Sequence, residues 1–432
     1  MPKALQGVKV KHSKNTANLQ PVRMPVPEKV IIPMIQHMGA PCDLLVKVND
    51  TVTVGQMIGD SGAFLSSPIY SSVSGTVTAI DDFVTAMGAK CKAAVITTDG
   101  QQTVCPDLEV PQVNSHADLV AAVRKCGLVG LGGAGFPTHI KLNPKNLSEV
   151  DTLVINGAEC EPYITCDMRL MLDNTDGLLE GVSIVKKHLE VSQVVIGVED
   201  NKPEAIAKLT QAVASMDGVS VKTLKSKYPQ GAEKVLIYET TGRVVKEGQL
   251  PADVGVVVLN VATCAKIADY LKTGMPLVEK TITVDGSAVA EPKNVIVPIG
   301  TQIKDIIAFC GGYKAEAKKL LMGGPMMGIV VPSEEFPLVK NNNAILAFDE
   351  KESRMEFETA CIRCGRCLRA CPFGLAPAKL DKAYRAKNVE ALRELKVNLC
   401  MECGCCSYVC PAKRYLVMSN KLGKKLLREA KK

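Results

Sequence analysis

The sequence predicts a multidomain α/β protein, and three observations carry the prediction. The chain has 432 residues, room for two to four domains at roughly 100–200 residues each. Through its middle, helix-like stretches alternate with short apolar strands, the pattern of a largely parallel sheet with helical crossovers. Beyond about residue 350 one cysteine run occurs twice, which marks a separate metal-binding unit.

In chain order, residues 1–25 read as an extended arm with little apolar content. Residues 26–105 hold short alternating runs at 44–48, 52–54 and 75–80, parted by the turn residues Asn49-Asp50, Gly55, Gly59-Asp60 and Ser74-Gly75, so a small all-β unit is expected. In 106–275, helical stretches (118–125, 175–189, 203–216) alternate with strands (152–155, 194–198, 254–259), which predicts the α/β domain. Residues 276–345 return to short strands around one helix, 303–309, as in a small α+β domain. Residues 346–432 carry the cysteine runs, a helical stretch at 380–395 and a basic tail.

Hydrophobic residues make up 47% and charged residues 22%, ordinary for a globular chain, and with no Trp the cores must be aliphatic. A formal net charge of +7 is mild over this length and gives no reason to expect nucleic acid as a partner. Much of it falls in Lys421, Lys424, Lys425, Arg428, Lys431 and Lys432, either a solvated helix end or a docking patch for an acidic carrier or a membrane surface. No segment has signal-peptide form and none approaches 18 uninterrupted apolar residues, so the chain is expected neither to span a membrane nor to enter the secretory path by itself. In that setting 17 cysteines read as metal-binding, not as a disulfide framework.

The first run is Cys361, Cys364, Cys367 and Cys371, followed by Pro372; the second is Cys400, Cys403, Cys406 and Cys410, followed by Pro411. Three such closely spaced thiolates can wrap one [4Fe–4S] cube, while the fourth, before proline, points to the other cluster. Cluster one should therefore take Cys361, Cys364, Cys367 and Cys410, and cluster two Cys400, Cys403, Cys406 and Cys371. Zinc sites are the alternative, but zinc favours two spaced pairs over a third cysteine and a Cys-Pro step in each run. Cys405 is an extra thiol out of register. Cys42, Cys91, Cys105, Cys126, Cys160, Cys166, Cys264 and Cys310 are scattered and read as small buried hydrophobes. Adjacent clusters relay single electrons and by themselves imply no substrate chemistry.

Two segments of the α/β domain point to a bound nucleotide. Gly127, Gly130, Gly132, Gly133 and Gly135 crowd one short run that is followed by Lys141. Glycine lets backbone N–H groups approach a phosphate, so the run is either an anion-binding nest or a glycine-rich turn. It matches neither the G-x-G-x-x-G fingerprint nor a Walker A loop. Just after strand 152–155 come Asn156, Glu159, Cys160, Glu161, Pro162 and Tyr163, polar residues at the carboxyl end of a strand, where open α/β sheets bind ligands. A plain polar strand-to-helix turn is the other reading.

These motifs, followed in order by Tyr228-Pro-x-Gly231-x-Glu233 and Asn260-Val261-x-Thr263, resemble the flavin- and NADH-binding subunit of respiratory complex I. Taken whole, residues 25–415 resemble the C subunits of Rnf complexes, membrane-bound, ion-pumping ferredoxin:NAD oxidoreductases. The resemblance implies FMN and NADH (or NAD) beside the two [4Fe–4S] clusters. By it, Gly130, Gly132, Gly133 and Gly135 would cradle FMN and NADH, Lys141 would lie near the FMN phosphate, and Phe136 would stack on the nucleotide. Asn156, Glu159, Tyr228, Gly231 and Asn260 would line the flavin, and Glu161 and Glu233 would approach NADH. No side chain need act as general acid or base. Residues 26–105 would form a barrel-sandwich that lacks a modifiable lysine between Phe64 and Pro68, and residues 276–345 a ubiquitin-like β-grasp domain. The implied partners are NAD(H), the iron–sulfur and membrane subunits of such a complex, and ferredoxin through it. The implied place is peripheral, on the cytoplasmic face of the membrane.

The sequence also departs from the complex I pattern. The loop arginine is Leu131 here, alanines 158, 232 and 262 stand where acidic residues are expected, and Asn143 replaces an aromatic. NADH contacts lose more by this than FMN contacts do. Two other outputs share the pattern: the cobalamin reductase of propanediol-degrading compartments, and an iron–sulfur relay protein that has lost its flavin. His12, His37, His116, His139 and His188 show no ligand spacing; His139, between the glycine loop and Lys141, is the one worth substituting.

Overall fold

In a computed structural model that describes residues 6–430, the alternating runs of the N-terminal unit form two small sheets. Lys29–Pro33, Lys90–Thr98, Gly75–Val84 and Thr51–Val52 bond in that order, and Asp43–Leu44, Met57–Asp60 and Ile69–Tyr70 make the second sheet. One residue in two points inward along each strand. Val30, Ile32, Val77 and Ile96 of one sheet thus share a sealed core with Ile58 and Ile69 of the other.

The α/β domain has four parallel strands in the order Val219–Leu224, Gln193–Glu199, Thr152–Gly157, Val256–Asn260. Three of them, Gln193–Glu199, Thr152–Gly157 and Val256–Asn260, are rich in buried Val, Ile and Leu because helices cover both faces, whereas Val219–Leu224 carries Ser220, Lys222 and Thr223. Thr175–Leu189 packs against Val261–Thr273 at close range: a Cβ on Gly181 would stand 1.9 Å from the Cys264 carbonyl oxygen. Two expected boundaries shift. The strand expected from 254 starts at Val256, because Pro251–Val254 forms a 3-10 turn, and the helix expected through 216 ends at Ala212.

In the third unit, Glu279–Asp285 runs antiparallel to Lys293–Pro298 and parallel to Ala344–Phe348, which in turn pairs with Lys319–Met322. Helix Ile303–Phe309 buries Ile303, Ile306 and Ile307 in the core of this unit. All residues of Ala344–Phe348 are buried. The boundary expected at 345 therefore falls inside a core strand, and the sheet ends only after Phe348. The N-terminal arm also needs correction, because it is built into the other units. Val22–Arg23 extends the third unit's sheet beside Lys293–Pro298, Val8 pairs with Tyr228, and Val8 and Val10 are buried.

The helix expected over 380–395 is two helices, Pro377–Arg385 and Val389–Glu394. Lys387 takes φ +52 between them, and the Asn388 side chain accepts from the Ala391 N–H and starts the second. Such a local side-chain bond offers the backbone an alternative to a continuous helix. Leu416–Glu429 closes the unit over Leu380, Leu392 and Val397, with Leu427 between them. Among the described residues, no helix is long and apolar enough to cross a membrane.

Candidate functional site

Strand Thr152–Gly157 has Gln193–Glu199 on one side and Val256–Asn260 on the other. The chain's connections therefore part at its carboxyl end, leaving the crevice where open α/β sheets bind ligands. Asn156 and Asn260 are register partners across that crevice. Asn156 Nδ2 donates to the Gly231 carbonyl at 2.9 Å, and its Oδ1 accepts from the Ala158 N–H at 3.2 Å. Asn260 caps Val261–Thr273 by accepting from the Ala262 N–H at 2.8 Å, and its Nδ2 donates to Asp167 at 2.7 Å.

The glycine loop reaches the same place. It is pinched at its base by a Val129–Pro137 bridge and by the Gly130 N–H donating to the Phe136 carbonyl at 2.9 Å. A Cβ on Gly132 would sit 2.8 Å from Asn260 Nδ2, whereas the space around Gly133 is open. The loop is held from three sides. The Met38 N–H of the N-terminal unit donates to the Gly135 carbonyl at 2.9 Å. Asn341 Nδ2 of the third unit donates to the Gly133 carbonyl at 3.2 Å. The Leu131 N–H donates to Thr263 Oγ1 at 3.4 Å, and the Leu131 side chain is buried. Two sealed lysines of the third unit clamp the loop. Lys340 Nζ donates to the carbonyls of Gly127, at 2.8 Å, and Pro68. Lys280 Nζ donates to those of Leu131 and, at 3.1 Å, Lys340. Burial pulls both ammonium groups down to about 8.

The expected carboxylates are occupied by protein groups. Glu159 accepts from the N–H groups of Asp167, at 2.6 Å, and Met168, at 3.3 Å, which open helix Cys166–Asp173. Its other partner is Lys14 at 4.0 Å. Burial raises the Glu159 carboxyl and lowers the Lys14 ammonium, against the attraction between them. Glu161 accepts from the N–H groups of Met326 and Met327 at 3.0 and 2.9 Å; burial pushes its carboxyl up to about 7. Tyr228 is 2% exposed, with its hydroxyl 3.4 Å from Glu161. Lys141 pairs with Glu233 and donates to the Val258 carbonyl at 3.3 Å. Phe136 is half-buried. His139 makes no bond through its buried Nδ1, and burial pulls it down to about 4.

The sequence reading missed Lys14, Asp167, Lys280 and Lys340. Lys280 and Lys340 did leave a signal, since each is a lone lysine beside an apolar run. Lys14 and Asp167 left none, because their partners lie far away in the chain.

A flavin mononucleotide fits what is present. Gln230 Nε2, beside Gly231, and Thr138 Oγ1, at the end of the glycine loop, are shut from solvent with no partner in the protein. Buried polar groups nearly always have one, and a bound ring edge or phosphate supplies it. The space beside Gly133 is open, so a phosphate can approach the loop backbone there.

In the C-terminal unit, Cys371 lies within electrostatic reach of Cys400 and Cys403, Cys406 within reach of all three, and Cys367 within reach of Cys410. Cys371, Cys400, Cys403 and Cys406 line one small pocket, with Asn420 on its wall. Converging thiols without opposing imidazole or carboxylate suit an iron–sulfur cluster. The two cysteine sets differ in setting. Cys361 and Cys364 are exposed, whereas Cys403 and Cys406 are buried. Cys403 and the non-register Cys405 share an apolar cluster with Tyr228, Val8 and Cys160. The Cys405 thiol meets the Tyr228 carbonyl at 3.7 Å, and the Gly231 N–H donates to Cys160 Sγ at 3.3 Å.

Comparison with known proteins finds four family models along the chain. The chain matches the RnfC barrel sandwich hybrid domain over residues 3–101, the Nuo51 FMN-binding domain over 123–269, the SLBB domain over 281–330 and the 4Fe-4S dicluster domain over 359–414. The C subunit of the proton-translocating ferredoxin:NAD(+) oxidoreductase complex of Clostridium ljungdahlii is 45% identical over 85% of this chain and 81% of that protein. Its counterpart in the Na(+)-translocating complex of Acetobacterium woodii is 41% identical over 84% of this chain and 82% of its own length. Among solved structures, an NAD+-reducing [NiFe]-hydrogenase in the air-oxidized state superposes with a TM-score of 0.52 at 18% identity. That match covers 73% of this chain and only 61% of the hydrogenase chain, and it speaks to fold alone. With relatives this similar over most of both lengths, the chain belongs to the RnfC family, the C subunits of Rnf ferredoxin:NAD oxidoreductase complexes.

Proposed function

We propose that the chain is the NADH-oxidising (or NAD-reducing) component of an ion-pumping Rnf complex and moves electrons between NAD(H), FMN and two [4Fe–4S] clusters. One observation carries this reading: the segment from Tyr228 to Gly231 touches both halves of the machinery. Its Gly231 end bonds Asn156 in the switch-point crevice, and its Tyr228 end meets Cys405 beside the buried cysteine set. Held by the glycine loop and by Asn156, Gly231 and Asn260, FMN would supply hydride acceptance from NADH and one-electron release towards the clusters.

The chain's own task is placement. The loop from Gly130 to Gly135 offers N–H groups to phosphate, and Asn156, Gly231 and Asn260 set the wall of the flavin crevice. Glu159 and Glu161 brace that wall by tying down the start of helix Cys166–Asp173 and the turn at Met326, and Lys141 and Glu233 neutralise each other at its edge. Cys400, Cys403, Cys406 and Cys371 hold the cluster on the flavin side; Cys361, Cys364, Cys367 and Cys410 hold the outer one. Exposed Met355, Phe357 and Ile362 near that outer set offer a surface to an iron–sulfur partner in the complex.

In this reading the barrel-sandwich spans 26–105, the flavin domain 106–275, the β-grasp domain 276–348 and the two-cluster domain the rest. The protein works at the cytoplasmic face of the membrane, held there by other members of the complex. Purified anaerobically and given FMN, the chain should retain about one flavin, and NADH should bleach its absorbance. A chain that keeps no flavin after desalting contradicts the proposal.

A further inference from the structure

The two cysteine runs are internal repeats, and the residues around them can be compared position by position. The tenth residue after the last cysteine of each run lies on the helix that follows. It is Asp381 after Cys371 and Asn420 after Cys410. The two side chains do different things. Asn420 is 1% exposed, and its Nδ2 donates to Cys400 Sγ at 3.4 Å. Its Oδ1 is buried with no partner, so within the protein this amide is oriented by the sulfur. Asp381 can only accept. Its oxygens are filled by Arg385 at 2.9 Å, Arg414 at 2.6 and 3.0 Å, and Ser419 at 2.7 Å. The fold thus aims a neutral N–H donor at one cluster's ligand and, at the matching place, uses a carboxylate to hold helices together.

A hydrogen bond to a ligating sulfur stabilises the more negative, reduced cluster and raises its potential. We propose that Asn420 is a tuning residue. Its side-chain N–H raises the potential of the cluster held by Cys400, Cys403, Cys406 and Cys371, making that cluster the readier acceptor of the pair. The inference rests on the two-cluster reading above. It adds an asymmetry that cysteine spacing alone does not contain, because both runs have the same spacing. The donor is fixed in place: Gly423, one turn further along the same helix, lies against Leu392 and Val397.

The test is a potentiometric titration followed by EPR on the full chain loaded with both clusters, comparing the parent with Asn420→Leu and Asn420→Asp. In Asn420→Leu, cluster two's ratio of reduced to oxidised form at the parent's midpoint should fall about tenfold, equivalent to 59 mV for a one-electron couple. Asn420→Asp should lower it further, and cluster one should be unmoved in both. An unshifted cluster-two midpoint in Asn420→Leu with both clusters present overturns the proposal. If the variants lose cluster two, the parent decides. With asparagine side-chain amides labelled with nitrogen-15, the reduced cluster-two signal should show a coupled nitrogen-15 in ENDOR, and its absence refutes the hydrogen bond. A parent chain without two clusters would instead defeat the reading on which this rests.

Discussion

Replacing Cys371 with alanine should abolish the cluster of the second cysteine run and spare the cluster of its own run. Cys371 sits among Cys400, Cys403 and Cys406, while Cys367 of the first run faces Cys410. Outer-shell partners alone are worth about 10–100-fold in metal affinity, and a thiolate ligand is worth more, so cluster two should be lost or left incomplete. Iron content should fall by about half, the dithionite-reduced EPR spectrum should keep only the cluster-one signal, and bound FMN should be unchanged. NADH should still bleach the flavin while reduction of cluster one by NADH collapses, since the inner station is missing. Loss of the cluster at Cys361, Cys364 and Cys367 instead would show that each run keeps its own fourth cysteine.

Lys14→Ala should be the most damaging change outside the cysteines. Lys14 Nζ donates to the carbonyls of Glu159 at 2.8 Å and Glu161 at 2.9 Å, and to that of Ile164, and it is the cationic partner of the Glu159 carboxylate. The two side chains are 14% and 2% exposed. Removing one partner of a buried ion pair typically costs about 3–5 kcal/mol, because the other charge stays buried alone. For a unit the size of the flavin domain this lowers Tm by roughly 6–20 °C, and the crevice wall at Glu159 loosens, so FMN is lost on desalting. The sign of the pH effect follows from Glu159. Burial raises its carboxyl, and without Lys14 it rises further, so the folded variant binds a proton that the unfolded chain does not. The defect is then full at alkaline pH and shrinks as pH falls towards the ordinary carboxylate range. Glu159→Gln should partly rescue Lys14→Ala for the same reason. A Lys14→Ala protein with parental Tm and full flavin would show that the pair bears no weight.

How much of this was legible in the sequence depended on how local the cause was. The cysteine runs were readable because a cluster needs its ligands at short, fixed spacing. The strands expected at 152–155, 194–198 and 254–259 were readable because strands covered on both faces run as near-continuous apolar stretches. Their ends were less so: Pro251–Val254 continues the apolar run but turns, and the helical run at 380–395 breaks at Lys387 and Asn388 through one local bond. The strand at 344–348 had to be assigned to a sheet whose parallel partner is the much earlier Glu279–Asp285, so the boundary fell short. Glu159 and Glu161 drew notice from the sequence, but their bonding to helix and loop N–H groups did not. Lys14 reads as one more cation in a polar arm until the fold carries it about 150 residues along the chain to its partners. Leu131, at the position of the expected loop arginine, is buried in the core.

The order of electron flow is the most direct thing to measure. Chain loaded anaerobically with FMN and both clusters is mixed with NADH, frozen at successive times and examined by EPR, with the two cluster signals assigned from Cys371→Ala protein. The flavin should bleach first, the cluster of Cys400, Cys403, Cys406 and Cys371 should be reduced next, and the exposed cluster of Cys361, Cys364, Cys367 and Cys410 last. If the exposed cluster is reduced ahead of the buried one, or if only a strong chemical reductant reduces either cluster, electrons do not take the route through Tyr228 and Cys405.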